Sequence, residues 1–180
     1  MKNNNNTEVC LFIGRFQPFT LGHLKCCQTV YKQRKLKSVI LIINTTKADK
    51  KHPFLTKDLM NTYKKMAHNY DCIEDVLLVS NADIVKNTEI CRENGYEPVA
   101  WVCGTDRVND YKEMVNKYAE KIDLTPNFDV FEIPRTGDDI SATKCREALI
   151  EGDQKKFDSM VPKEVSNIYY KLKKLIEDIA

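Results

Sequence analysis

Val9-Cys10-Leu11-Phe12-Ile13-Gly14-Arg15-Phe16-Gln17-Pro18-Phe19-Thr20-Leu21-Gly22-His23 opens on a short apolar run closed by a glycine, the pattern of a buried parallel strand. Gly14 ends the strand, and Pro18 restricts φ within the tight loop that follows. Thr20 suits the N-cap of a helix that next carries Leu21, Leu24, Cys27 and Tyr31 on one face. With Thr20 as cap, His23 falls in the first turn, beside unsatisfied backbone N–H groups and the positive end of the helix dipole, with Arg15 and Lys25 flanking it. A strand, a glycine turn and a helix N-terminus bearing a histidine make a phosphate site. The same residues also fit an ordinary strand–loop–helix connection with a surface histidine.

Outward from this stretch, strands alternate with helices. Ser38 to Ile43 is apolar on both faces, as a central parallel strand covered by two layers must be. The polar loop Asn44 to Pro53 holds Lys47, Lys50 and Lys51 and is either solvated or a basic flap over a polyphosphate. Leu55 to Ala67 has helical periodicity, with Thr56 as its cap. Val76 to Val79 and Val99 to Cys103 are the third and fourth strands. Between them a helix spans about Ile84 to Arg92, stopped by Asn94-Gly95. Gly104-Thr105-Asp106 leads into a helix ending near Ile122. Phe128 to Ile133 is the fifth strand.

The loop from Pro134 to Asp139 leads to Ile140-Ser141-Ala142-Thr143-Lys144-Cys145-Arg146 and a helix ending near Glu151. Helices over 154–160 and 162–178 close the chain, the second with Pro162 in its first turn. This order predicts an α/β fold: a Rossmann-like five-stranded parallel sheet, helices on both faces, right-handed crossovers and a short C-terminal helical extension. Ligands of such sheets bind at the carboxyl ends of the strands, where the strand order reverses. A second helix N-terminus with Ser141, Thr143 and Arg146 then faces the first, although alone it reads as a capped amphipathic helix.

The 180 residues suffice for one domain, expected over 8–180, behind a polar tail over 1–7 that is expected to be disordered. A net charge of +2 gives no basis for nucleic-acid or membrane binding, so any basic function is local. The seven cysteines form no C-x-x-C pair and mostly lie in apolar runs. They point to a reducing cytoplasmic setting rather than to disulfides or zinc. Neither a signal peptide nor an apolar run of the ~18 residues that span a bilayer is present. Trp101, the methionines and the remaining tyrosines read as core.

Gly14 to His23 resembles the (His/Thr)-x-Gly-His signature of the nucleotidyltransferase superfamily, and Ile140 to Arg146 resembles its second signature, Ile-Ser-x-Thr-x-x-Arg. The Gly-Arg-Phe-Gln-Pro-Phe wording is most similar to archaeal-type nicotinamide mononucleotide adenylyltransferases, and His52-Pro53-Phe54 resembles their Asn-Pro-Phe. The resemblance implies transfer of AMP from ATP to nicotinamide mononucleotide, forming NAD and pyrophosphate. It implies that His23 contacts the α-phosphate, with Thr20 at the first motif position and Gly14 and Arg15 on phosphates. Ser141, Thr143 and Arg146 grip the β- and γ-phosphates, and Mg²⁺ is held through phosphate oxygens rather than by protein ligands. Phe16, Gly22, Gly104 and Ile140 complete the nucleotide site, with Asp106 on the adenosine. Relatives of this kind assemble as homo-oligomers, which no residue here marks.

Three departures leave the acceptor open. Thr20 stands where the archaeal form has histidine, although threonine is usual in phosphopantetheine adenylyltransferases. Leu59 stands where an arginine is expected, and Gly104-Thr105-Asp106-Arg107 differs from Ser-Gly-Asn-Pro. A cytidylyltransferase or phosphopantetheine-type enzyme is the alternative within the superfamily; a nucleotide-binding sensor without turnover is the alternative outside it.

Overall fold

Strands that are apolar on both faces belong between two layers of helices, and the sheet is built that way. The computed structural model describes residues 4–134 and 140–179. Its elements are β1 (Thr7–Gly14), α1 (Leu21–Arg34), β2 (Ser38–Ile43), α2 (Thr56–Asn69), β3 (Ile73–Val79), α3 (Ile84–Glu93), β4 (Tyr96–Cys103), α4 (Val108–Tyr118) and β5 (Asp129–Glu132). Then come α5 (Ala142–Glu151), α6 (Gln154–Asp158), α7 (Lys163–Ser166) and α8 (Tyr169–Glu177). The five strands lie in the order β3-β2-β1-β4-β5 and every neighbouring pair is parallel, giving the expected Rossmann-like fold.

The period of two along β1 sorts its side chains between two cores. Val9, Leu11 and Ile13 face α3 and α4, packing with Ile84, Cys91, Val108, Val115 and Trp101. Cys10 and Phe12 face the layer made by α1, α2 and the helices from α5 onward, meeting Leu24, Cys27, Tyr63, Cys145 and Leu172. Trp101 is fully buried and stacks on Tyr111 at 3.7 Å between centroids. The chain runs from β1 outward to β3 and then returns to place β4 on the other side of β1. The strand order therefore reverses between β1 and β4, and the loops leaving these strands flank that point.

Several boundaries differ from expectation. β3 begins at Ile73 rather than Val76: on this edge strand Asp75 pairs with Val39, Glu74 falls at a bulge, and both acidic side chains are only half-buried, which hides the start of the strand from a hydrophobicity pattern. Thr7 already belongs to β1, and Asn6 donates its side-chain amide to the Arg92 carbonyl at 3.3 Å. The polar tail thus stops short of residue 6. On α1, Val30 rather than Tyr31 is buried with Leu24 and Cys27. Tyr31 and Tyr170 stand out from the core at 38% and 74% exposure.

α4 stops at Tyr118, short of Ile122. The single closing helix is two pieces, α7 and α8, and Pro162 is an N-cap rather than a first-turn residue. The residues 135–139 of the expected fifth-strand loop lie outside the described residues. Among those described, no helix is long and apolar enough to cross a membrane.

Candidate active site

The loop from β1 to α1 is held from three sides. Thr20 caps α1: its Oγ1 accepts the His23 N–H at 3.3 Å, and the Thr20 N–H donates to His23 Nδ1 at 3.0 Å. This is a reciprocal capping box in which histidine occupies the position usual for glutamate or glutamine. Since Nδ1 accepts a backbone proton, a neutral His23 imidazole carries its own proton on Nε2. Behind the ring stand Phe12, Phe16 and Phe19, with centroids at 5.9, 5.0 and 5.2 Å. The histidine therefore has a set tautomer and an aromatic wall, both properties of a preorganised donor.

Phe16, expected in the nucleotide site, is buried in that wall at 6% exposure. Its ring packs edge-on against His23 rather than opening to the surface. Its φ of +51° is unusual for a residue with a side chain. Tyr63 bridges that turn, donating its hydroxyl to the Phe16 carbonyl at 2.6 Å and accepting the Phe19 N–H at 2.8 Å. Gly14 leaves room for the Phe16 ring, whose Cζ would lie 3.2 Å from a Cβ placed there.

Gln17, buried at 3% exposure, ties this loop to the next. Its carboxamide accepts the Phe54 N–H at 3.0 Å and donates to the Phe54 carbonyl at 2.8 Å. Beside it, Arg15 Nη1 donates to Thr45 Oγ1 at 3.0 Å, and the Thr45 N–H donates to Thr56 Oγ1 at 2.7 Å. Thr56 is thus not the α2 cap. Leu55 is, without a side-chain bond, because the threonine hydroxyl serves the loop instead. Gln17, Thr45, Thr56 and Tyr63 form a polar scaffold that sequence patterning missed: two lie in loops and two on the buried face of α2, where periodicity assigns burial and no polar partner.

The second motif meets the first directly. Arg146 Nη1 donates to the Gln17 carbonyl at 2.7 Å, and its Nη2 donates to Thr143 Oγ1 at 3.3 Å. Burial draws the Arg146 pKa below the ordinary arginine value, yet a guanidinium keeps its charge at neutral pH. Ser141 is the α5 N-cap, its Oγ accepting the Lys144 N–H at 3.1 Å. A Cβ at Gly22 would lie 4.0 Å from Ile140, so the start of α1 faces the segment entering α5. Gly104 and Asp106 lie beyond β4, the strand beside β1, and Asp106 folds back over Gly104, with Oδ1 3.0 Å from a Cβ built there. Leu59, at the position where an arginine is expected, is fully buried in the core.

The model of the cytidylyltransferase-like family matches residues 11–148, from within β1 into α5 and across both motifs. The chain belongs to that family. It is a nucleotidyltransferase, related in sequence and structure to the nicotinate and nicotinamide mononucleotide adenylyltransferases. It is 26% identical over 164 residues to the nicotinamide/nicotinic acid mononucleotide adenylyltransferase of Acinetobacter baylyi, covering 81% of this chain and 77% of the relative. The solved Plasmodium falciparum nicotinic acid mononucleotide adenylyltransferase complexed with APC superposes with a TM-score of 0.60 at 16% identity, covering 94% of this chain and 98% of that one. A bifunctional NMN adenylyltransferase/ADP ribose pyrophosphatase from Francisella tularensis, complexed with AMP and a manganese ion, gives 0.59 at 17% identity, covering 97% of this chain and 52% of that one. Both superpositions bear on the fold of this nucleotidyltransferase.

Among the described residues, no group of three histidine, cysteine or carboxylate side chains is placed to hold a metal. The site offers guanidinium, imidazole and hydroxyl groups, a donor set suited to phosphate oxygens rather than to a cation.

Proposed function

We propose that this nucleotidyltransferase transfers AMP from ATP to nicotinamide mononucleotide, forming NAD and pyrophosphate within a single domain over 8–180. The observation that carries this reading is the 2.7 Å bond from Arg146 to the Gln17 carbonyl, which sets the second motif against the loop that presents His23. In the reaction a phosphate oxygen of the acceptor attacks the α-phosphorus, and the bond to the bridging oxygen of the β-phosphate breaks as pyrophosphate leaves. His23 Nε2–H donates to the α-phosphate, where negative charge gathers in the transition state. Thr20 holds the helix start around it. Gly14, Arg15 and Gly22 bring backbone and guanidinium donors to the phosphates. Ile140, Ser141, Thr143 and Arg146 bind the departing pyrophosphate, and Gly104 and Asp106 receive the adenosine.

Mg²⁺ carried by the nucleotide's phosphate oxygens would neutralise part of their charge, which accords with the cationic donor set. The seven free cysteines support a cytoplasmic setting. Assembly as a homo-oligomer, without nucleic-acid or membrane partners, completes the proposal.

Purified protein with ATP, Mg²⁺ and nicotinamide mononucleotide is expected to release pyrophosphate and yield a dinucleotide by chromatography. Pyrophosphate release only with CTP, or only with a different acceptor, overturns this choice. Thr20 and Leu59 favour that second reading, a cytidylyltransferase or phosphopantetheine-type enzyme, and the same assay run over nucleotides and acceptors decides between them.

Arg146→Ala should raise the KM for ATP by roughly 10- to 100-fold, the worth of a charge-assisted hydrogen bond, with a smaller change in kcat. An unchanged KM removes Arg146 from triphosphate binding. Gly22→Ala separates folding from binding. A Cβ there makes only ordinary contacts, 3.4 Å to Thr20 Oγ1 and 4.0 Å to Ile140, and alanine favours the helix by up to ~1 kcal/mol. The expected outcome is an unchanged or higher Tm with weaker ATP binding, read by thermal melts and calorimetry.

A further inference from the structure

His52 lies on the loop joining β2 to α2, and that loop is fastened to the β1–α1 loop at both ends. Arg15 bonds Thr45 near its start, and Gln17 clasps Phe54 two residues beyond the histidine. The turn before it is tied by Asp49, whose Oδ1 accepts the N–H groups of Lys51 at 2.9 Å and His52 at 2.7 Å, while the Asp49 N–H donates to the His52 carbonyl at 3.1 Å. The imidazole Nδ1 stands 3.7 Å from Asp49 Oδ1, too far for a hydrogen bond. The side chain is partly open, at 27% exposure.

Among the described residues, the charges acting on this ring are Arg15 from the β1–α1 loop, Arg146 from α5, and Asp49 and Lys51 from its own loop. Burial first, then Arg15, disfavours the charged ring, Lys51 and Arg146 add to this, and among the described residues Asp49 opposes it. The neutral imidazole is therefore favoured, and Asp49 is the carboxylate on its own loop that offsets part of the field of the two guanidinium groups. A polyanion placed among these groups reverses the sign of the field at the ring.

We propose that His52 is a further binding residue for the nucleotide's phosphates, donating to a phosphate oxygen beside Arg15 and Arg146 and taking up a proton as the nucleotide binds. This rests on the triphosphate lying against those two arginines, as in the proposed function. The sign of the pH dependence follows from linkage. Binding takes up a proton at every pH between the free and bound midpoints of His52. Affinity therefore falls as pH rises through that window, by at most about tenfold per pH unit.

The test uses the full chain, Mg²⁺ and α,β-methylene ATP, which cannot transfer its nucleotidyl group. The chain has three histidines, so ¹³C-edited NMR of the imidazoles, with His52→Asn identifying the signal, follows this ring directly. The expected result is a His52 midpoint raised by about one pH unit or more on binding. Calorimetry should show affinity falling about 3- to 10-fold from pH 6 to pH 8 beyond the fall seen in His52→Asn, the comparison cancelling the titration of the ligand itself. A midpoint unmoved by bound analogue, or identical pH profiles in the two proteins, overturns the proposal and leaves the adenylyltransferase reading intact. Proton uptake at His52 without any dinucleotide product does the reverse. Failure of the analogue to bind overturns both.

Discussion

His23→Ala should lower kcat for pyrophosphate release by ~10²-fold or more, the scale for removing one preorganised donor to a transition state. Its Nδ1 is committed to the Thr20 N–H at 3.0 Å, so a neutral ring carries its proton on Nε2, the atom proposed to donate to the α-phosphate. Rotation of the ring is opposed by the same bond and by the three phenylalanines packed around it. The alanine variant also loses half of the capping box, a stability cost of about 1 kcal/mol. His23→Gln separates the two effects, because glutamine is a normal partner in a capping box. The Tm of the glutamine variant should return toward wild type while kcat stays depressed. Wild-type kcat in His23→Ala would falsify a role for the ring in catalysis.

The second large effect lies far from the site. Arg92 and Glu97 are both buried and meet through two bonds, Nε to Oε1 at 2.9 Å and Nη2 to Oε2 at 3.0 Å. The guanidinium also donates to the carbonyls of Ile122 at 2.6 Å and Asp123 at 3.1 Å. One side chain thus joins the end of α3, the start of β4 and the segment after α4. Arg92→Ala leaves a buried carboxylate without its counter-charge and two carbonyls without donors. A loss of about 3–5 kcal/mol is expected, or a fall in Tm of roughly 6–20 °C for a chain of this length. Replacing both partners, Arg92→Met with Glu97→Leu, should recover most of it, since apolar pairs often substitute for buried ions without loss. A double variant as unstable as Arg92→Ala would show that the carbonyl bonds, not the stranded carboxylate, dominate.

Catalysis and stability therefore rest on different kinds of polar contact. Arg92 is satisfied within the protein, with a carboxylate and two carbonyls around it. Among the described residues acting on His52, the cations of Arg15, Lys51 and Arg146 outnumber the carboxylate of Asp49. Such an imbalance suits a site that binds an anion, because the ligand supplies the missing charge.

The amino-acid sequence by itself determined the layers. Ser38 to Ile43, apolar at every position after the first, admits little but a strand covered on both sides, and alternation along such strands sets which residues enter which core. It also determined where His23 would lie, because Thr20 caps and the next three residues make a turn whatever surrounds them. These are local effects, decided over a few residues by backbone hydrogen bonding and solvent exclusion. Only the tertiary structure decided that Gln17 would clasp Phe54, that Thr56 would serve Thr45 instead of its own helix, and that Tyr63 would bridge Phe16 and Phe19. It also decided that Arg146 would reach Gln17 across 129 residues of chain. A polar side chain has several acceptable partners, and burial alone selects among them. Its choice is written in the packing of the whole sheet rather than in its neighbours along the chain.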